Sequence, residues 1–163
     1  RALRASAALI RGEVGVEAIA VDLGGWDTHE KQGALDGGMA ALMGELSGAL
    51  AAFHADIVAG STHAVTVVVM SEFGRMVDEN LSLGTDHGHG GMMMVMGSAV
   101  SGGRVLSNWP GLAREQRFEE QDLAVTIDYR DILYEIVERR LTSADPTLVF
   151  PDLVHTPRNI FGS

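Results

Sequence analysis

The stretch "AVTVVVMS", residues 64–71, decides the fold class. Val65 to Val69 are all β-branched, and such side chains fit a pleated surface better than a helix. The run has no polar alternation, so it reads as a strand buried on both faces of a parallel sheet. Two further apolar runs, "VEAIAVDL" (16–23) and "MMMVMG" (92–97), read the same way, with Met92, Met93, Met94 and Met96 as strand core rather than a soft-metal site. Between the first two runs, Leu35, Met39, Leu42, Met43, Leu46, Leu50, Phe53 and Ile57 recur at steps of three and four. That spacing predicts an amphipathic helix over 35–57, ended by Gly60. Leu3, Ala7 and Ile10 predict a helix over 1–11, closed by Gly12 and Gly15. A last helix runs from Tyr129 to Leu141, with Asp128 as its N-cap and Ile132, Leu133, Ile136, Val137 and Leu141 on one face. The segment "VSGGRVLSNWPGL" (100–112) reads as a loop or short hairpin, and "FPDLVHTPRNIFGS" (150–163) as an irregular surface arm. Strands alternating with helices give an α/β class, a mostly parallel sheet flanked by helices in a single domain, 1–163.

Composition narrows the function. At 163 residues with 46% hydrophobic content the chain can bury a core of its own. A formal charge of −10 and no basic stripe argue against a nucleic-acid or anionic-membrane partner. Without cysteine, any metal must be held by His, Asp and Glu. The apolar runs are strand-sized, so no transmembrane helix is expected. The chain opens on Arg1 in a helix already under way, which reads as a fragment or processed form lacking an N-terminal portion and any export signal.

In α/β sheets, ligands sit beyond the carboxyl ends of the strands. Two polar turns fall there, "GGWDTHEKQG" (24–33) and "SEFGRMVDENLSLGTDHGHGG" (71–91). They carry Asp27, His29, Glu72, Asp86, His87 and His89, the carboxylates and imidazoles that suit Zn²⁺, Mn²⁺ or Fe. Two such ions about 4 Å apart would activate water and stabilise the oxyanions of a phosphoryl or sulfuryl transfer. Arg75 would hold a carboxylate or a tetrahedral anion through its fork of donors. Duller alternatives stand beside each. Asp27 or Thr28 can cap the following helix, Glu72 and Arg75 can form an internal ion pair, Asp86 can be an Asx turn, and His89 can support a ligand without being one. His54, His63 and His155 read as structural or solvated.

The motifs "GGWDTHEKQG", "VTVVVMSEFGRMVDEN", "GTDHGHGG", "GGRVLSNWPGL" and "DYRDILYEIVERRL" followed by "VFPDL" resemble, in this order, the bacterial family called domain of unknown function 1501. The resemblance covers nearly the whole chain and implies membership of the alkaline-phosphatase and sulfatase superfamily, in which two divalent metals sit at the strand ends of an α/β sheet. It implies that this is the C-terminal portion of a longer, exported or periplasmic protein, with the N-terminal part of the same chain supplying the nucleophilic Thr or Ser. On one alignment with superfamily relatives, Glu72 stands for a metal-binding Asp, Phe73 replaces a His ligand and His87 is the later ligand. On another, Asp86, His87 and His89 match an Asp-His-x-His motif. For the earlier ligand pair, Asp27 is preferred to Asp22 beside His29, because it belongs to the family's own motif.

The expected activity is divalent-metal hydrolysis or transfer on small anionic phosphate or sulfate esters. Asp27, His29, Asp86, His87 and His89 would serve the metal, with Glu72 and Arg75 as catalytic groups. The alternatives are an exported binding or assembly protein with a degraded metal site, for which Phe73 speaks, and a purely structural domain.

Overall fold

The valine run forms a strand, β1 (Thr66–Val69), in a computed structural model that describes residues 1–59 and 62–162. Its neighbour is β4 (Met94–Gly97), with Thr66 opposite Gly97 and Val69 opposite Met94 in an antiparallel ladder. Between them the chain turns back through β2 (Gly74–Arg75) and β3 (His87–Gly88), which also pair antiparallel. A parallel pair would need a crossover, usually helical, and no helix lies between β1 and β4. Among the described residues both ladders are antiparallel, so β1 and β4 do not pair with each other in the parallel sense expected of such runs. Gly97 lets the ribbon close, because a Cβ there would stand 2.3 Å from the Val65 carbonyl oxygen.

The run at 16–23 is a second correction. It carries no regular structure, and Val16, Ile19 and Val21 remain 43%, 40% and 41% exposed. Propensity describes a fit to a pleated surface, and without a neighbouring strand there is no such surface. The methionines divide for a related reason. Met96 packs on the core, whereas Met92 lies before β4, outside the ladder, and is 64% exposed.

Helix α1 (Ala2–Arg11) forms as its spacing predicts, closed by Gly12. Helix α2 (Gly38–Phe53) starts three residues later than expected and continues as a π-turn, His54–Val58. The expected stop at Gly60 lies outside the described residues. Ala7 of α1 meets Phe53, Ile57 and Val58 from the end of α2 in the buried core, flanked by Leu3, Ile10, Val65, Val67 and Met96. An exposed ion pair, Arg11 to Asp56 at 2.6 Å, joins the same two elements. From Gly38 to Val58 the helical segment spans 21 residues and is long and apolar enough to cross a membrane, by length and composition only. That differs from the expectation of strand-sized apolar runs, since its glycines and alanines interrupt the large side chains without breaking the helix.

Helix α3 (Tyr129–Arg140) is capped by Asp128, whose side chain accepts from the Arg130 amide at 2.9 Å. Ile132 and Val137 are buried on it. Arg140 reaches the ribbon, donating to Thr66 Oγ1 at 2.8 Å and to Ser98. After α4 (Pro146–Val149) the tail is irregular, as expected, but firmly attached. Asp131 of α3, 2% exposed, accepts from the Thr156 amide and from Arg158, and Glu135 accepts from the amides of Arg158, Asn159 and Ile160. Carboxylates aimed at successive amides hold this backbone, whose end also bridges antiparallel to Val100 through Phe161. His155 is consequently not solvated: its ring stacks on Tyr134 at 4.2 Å, and its Nε2 is buried 3.9 Å from Glu135 Oε1.

Candidate metal centre

Backbone contact, made close by glycine, brings the two polar turns together. A Cβ on Gly84 would lie 2.2 Å from the His29 carbonyl carbon, and, within the second turn, one on Gly88 would lie 2.4 Å from that of Arg75. Only glycine allows chain segments to approach so closely. The Lys31 and Gln32 amides then donate to the carbonyls of Ser82 and Leu83 at 2.9 and 2.8 Å, and the Thr85 amide reaches Thr28 O at 3.4 Å. Thr28 and Thr85 hydroxyls both donate to Gln32 Oε1. Arg75 crosses beneath, donating to the carbonyls of Trp26 and Thr85 from its two terminal nitrogens.

The side chains so delivered converge on one oxygen. Asp27 Oδ1 lies 2.8 Å from His29 Nε2 and 2.7 Å from His87 Nε2, with Arg75 Nη2 at 3.8 Å. His29 Nδ1 is 2.8 Å from Asp86 Oδ1, which also accepts from Asn80 Nδ2 at 3.1 Å. The His87 ring is held differently, stacked on Phe73 with centroids 4.1 Å apart. The titration shifts follow these contacts. The hydrogen bond from His87, with the positive charges of His29, His87 and Arg75, lowers Asp27. The Asp86 bond, helped by the charges of Asp27 and Asp86, raises His29. His29 and then Asn80 lower Asp86.

Asp27, His29 and His87 present one ligand atom each, all within 4.8 Å of one another. Ligands around one tetrahedral ion with bonds of about 2.1 Å stand about 3.4 Å apart, so small side-chain movements would close the three on a cation. The donor set, two imidazoles and one carboxylate, suits Zn²⁺, Mn²⁺ or Fe. These residues fit a divalent ion at a solvent-open position, with side chains 40% to 62% exposed.

The other expected site residues fall elsewhere. Asp86 backs His29 and is not among the three converging residues. His89 is exposed and stacks on Phe118 at 4.1 Å, apart from the cluster. Glu72 is exposed, and no ion pair joins it to Arg75; that arginine ties the two turns together instead. Asp27 and Thr28 cap no helix, since the next one begins at Gly38. His54 is exposed on the π-turn and His63 half-buried before β1, neither belonging to the cluster. Asn80 and Gln32, which brace the two turns, were not singled out from sequence. Nothing in "DENLSLG" distinguishes a bracing Asn from an ordinary loop residue.

Fold and site together give a chain of helices and short antiparallel strands with a candidate two-histidine, one-aspartate metal centre. The family described as protein of unknown function (DUF1501) matches residues 4–146, and the chain belongs to it. No curated protein and no solved structure matches the chain.

Proposed function

We propose that this chain is the metal-holding, C-terminal portion of an alkaline-phosphatase-like domain that hydrolyses phosphate or sulfate esters. The convergence of His29 Nε2 and His87 Nε2 on Asp27 Oδ1 carries this reading. A bound divalent ion would supply Lewis-acid activation of water and stabilise developing oxyanions. The chain's own residues hold that position: Asp27, His29 and His87 as ligands, Phe73 by stacking on His87, and Arg75 by fixing both turns. A small anionic ester is the proposed substrate. An N-terminal part of the same chain would complete a parallel sheet beside the apolar, unpaired residues 16–23 and provide the nucleophile. The superfamily placement, the parallel sheet and an exported or periplasmic location all rest on the family resemblance.

A second reading, an exported binding or assembly protein without turnover, is favoured by one observation. Glu72, proposed as an additional ligand or base, is exposed and hydrogen-bonds to no cluster residue. Elemental analysis of the purified chain and of His87→Ala tests the metal. Stoichiometric Zn, Mn or Fe that is lost in the variant supports it, and no metal in either after incubation with excess ions refutes it. Turnover of an aryl phosphate or aryl sulfate by the full-length protein then separates hydrolase from binding protein.

A further inference from the structure

Three of the residues expected to bind metal do converge, yet Asp86 stands on the far side of the His29 ring. Its Oδ1 meets Nδ1 at 2.8 Å, while the opposite nitrogen, Nε2, faces Asp27 at 2.8 Å. An ionised carboxylate can only accept, so the Nδ1 of this pair carries a proton; Nε2, which faces the Asp27 carboxylate in the metal-free chain, is the nitrogen that exchanges its proton for a cation. A ring whose Nδ1 is committed in this way has Nε2 as its remaining ligand atom, the carboxylate–histidine–metal arrangement in which an outer partner fixes the tautomer.

Asn80 holds Asp86 in turn, and all of its side-chain bonding capacity is used. Its Oδ1 accepts from the Ser82 and Gly84 amides at 2.9 and 3.1 Å, while its Nδ2 donates to the His29 carbonyl at 3.0 Å and to Asp86 Oδ1 at 3.1 Å. A flipped amide would set NH₂ against two amide donors and a carbonyl against a carboxylate, so the network fixes its orientation. One side chain thus braces both the backbone and the ring of His29.

We infer that Asp86, locked by Asn80, is a positioning residue for His29 rather than a metal ligand, and that the centre takes one divalent cation through Asp27, His29 and His87. This rests on the metal-binding role proposed above and assigns the roles within it.

Two measurements on the full chain test it. The first needs no metal: long-range ¹⁵N–¹H NMR of the His29 ring, at a pH where the ring is neutral, in Asp27→Ala, which removes the carboxylate facing Nε2 at 2.8 Å, and in that variant combined with Asp86→Asn, Asp86→Ala or Asn80→Ala. The Nδ1–H tautomer should dominate in Asp27→Ala and with Asp86→Asn added to it, whose amide oxygen still accepts, and should become mixed when either further alanine substitution is added. A mixed or Nε2–H ring in Asp27→Ala overturns the positioning role. The second is titration with Co²⁺, followed by its visible absorption. Asp86→Ala should bind one equivalent with an unchanged spectrum and affinity about 10- to 100-fold weaker, and Asp86→Asn should recover most of that loss. Asp27→Ala should change the spectrum or lose the ion. If Asp86→Asn alters the spectrum as Asp27→Ala does, Asp86 is a ligand and the inference is wrong. If wild type binds no Co²⁺, the metal-binding proposal fails along with the one-cation assignment, and the ring measurement alone decides whether Asp86 positions His29.

Discussion

Replacing Gly84 with alanine should open the candidate centre without touching any side chain in it. The added Cβ would stand 2.2 Å from the His29 carbonyl carbon, 2.3 Å from its oxygen and 2.6 Å from the Glu30 nitrogen. All three are backbone atoms, so no side chain can swing aside, and the turns must part by about 1 Å to reach ordinary contact. The bonds from Lys31 N to Ser82 O, Gln32 N to Leu83 O and Thr85 N to Thr28 O span 2.9, 2.8 and 3.4 Å. Lengthening each by that amount takes them beyond hydrogen-bonding range. At about 0.5–1.5 kcal/mol per bond, and with partial relaxation, the loss is about 2–3 kcal/mol. Urea unfolding of wild type and Gly84→Ala reads this as a lower midpoint at unchanged slope. Co²⁺ titration should show affinity weakened by at least about 10-fold, since His29 and His87 then approach from separated turns. A variant with wild-type midpoint and wild-type Co²⁺ affinity would show that the turns are not held by this contact. Gly15→Ala is the control: a Cβ there meets nothing within 4 Å, although its φ of +79° carries a strain of its own.

Ile57, 1% exposed among Ala7, Phe53 and Val58, should cost about 2–5 kcal/mol as Ile57→Ala, measured by chemical denaturation. Asp131→Ala removes the partner of Arg158 and the acceptor of the Thr156 amide. A loss of about 1–3 kcal/mol is expected, at the lower end because Arg158 is 20% exposed, together with faster amide exchange at Thr156. Unchanged exchange would show that the tail is held by other contacts. The raised pKa of His29 sets a pH dependence. A cation competes with the ring proton, so Co²⁺ affinity should climb as pH rises through the raised value and level off above it. In the metal-free chain the sign is opposite. The pair's stabilisation is present below the unfolded histidine pKa and fades as pH rises through the folded one; for Asp86, lowered by His29, it fades as pH falls through the folded carboxylate value. Affinity independent of pH across that range would count against His29 as a ligand.

Much of the local structure was legible in the residues. Helices α1 and α3, the Asp128 cap and β1 appear where periodicity and β-branching put them, because those signals are short-range. The partnership of strands was not legible. Residues 16–23 have the composition of a core strand, but nothing in them specifies a neighbour, and the direction of β4 depends on how the intervening glycine-rich segment turns. At the site, residue chemistry and position beyond a strand end pointed to Asp27, His29 and His87. The division among them escaped, because Asp86 and His89 differ from the three converging residues only in where their side chains lead. Asp86 meets the His29 ring nitrogen opposite the one that faces Asp27, and His89 finds Phe118, 29 positions along the chain.

The bonds that clasp the two turns join residues 57 and 60 positions apart, His29 to Asp86 and Asp27 to His87. Closing a flexible loop of that length costs about 3–4 kcal/mol of chain entropy before any constant is added. Helix α2 and β1 lie inside the loop, so their prior packing against α1 and β4 shortens the free chain that must be closed. The clasp therefore belongs to the late events of folding and the early events of opening, ahead of the core around Ile57. An ion bound only to the closed form would weight that balance in proportion to its concentration, making local opening of the turns a readout of the free metal around the protein.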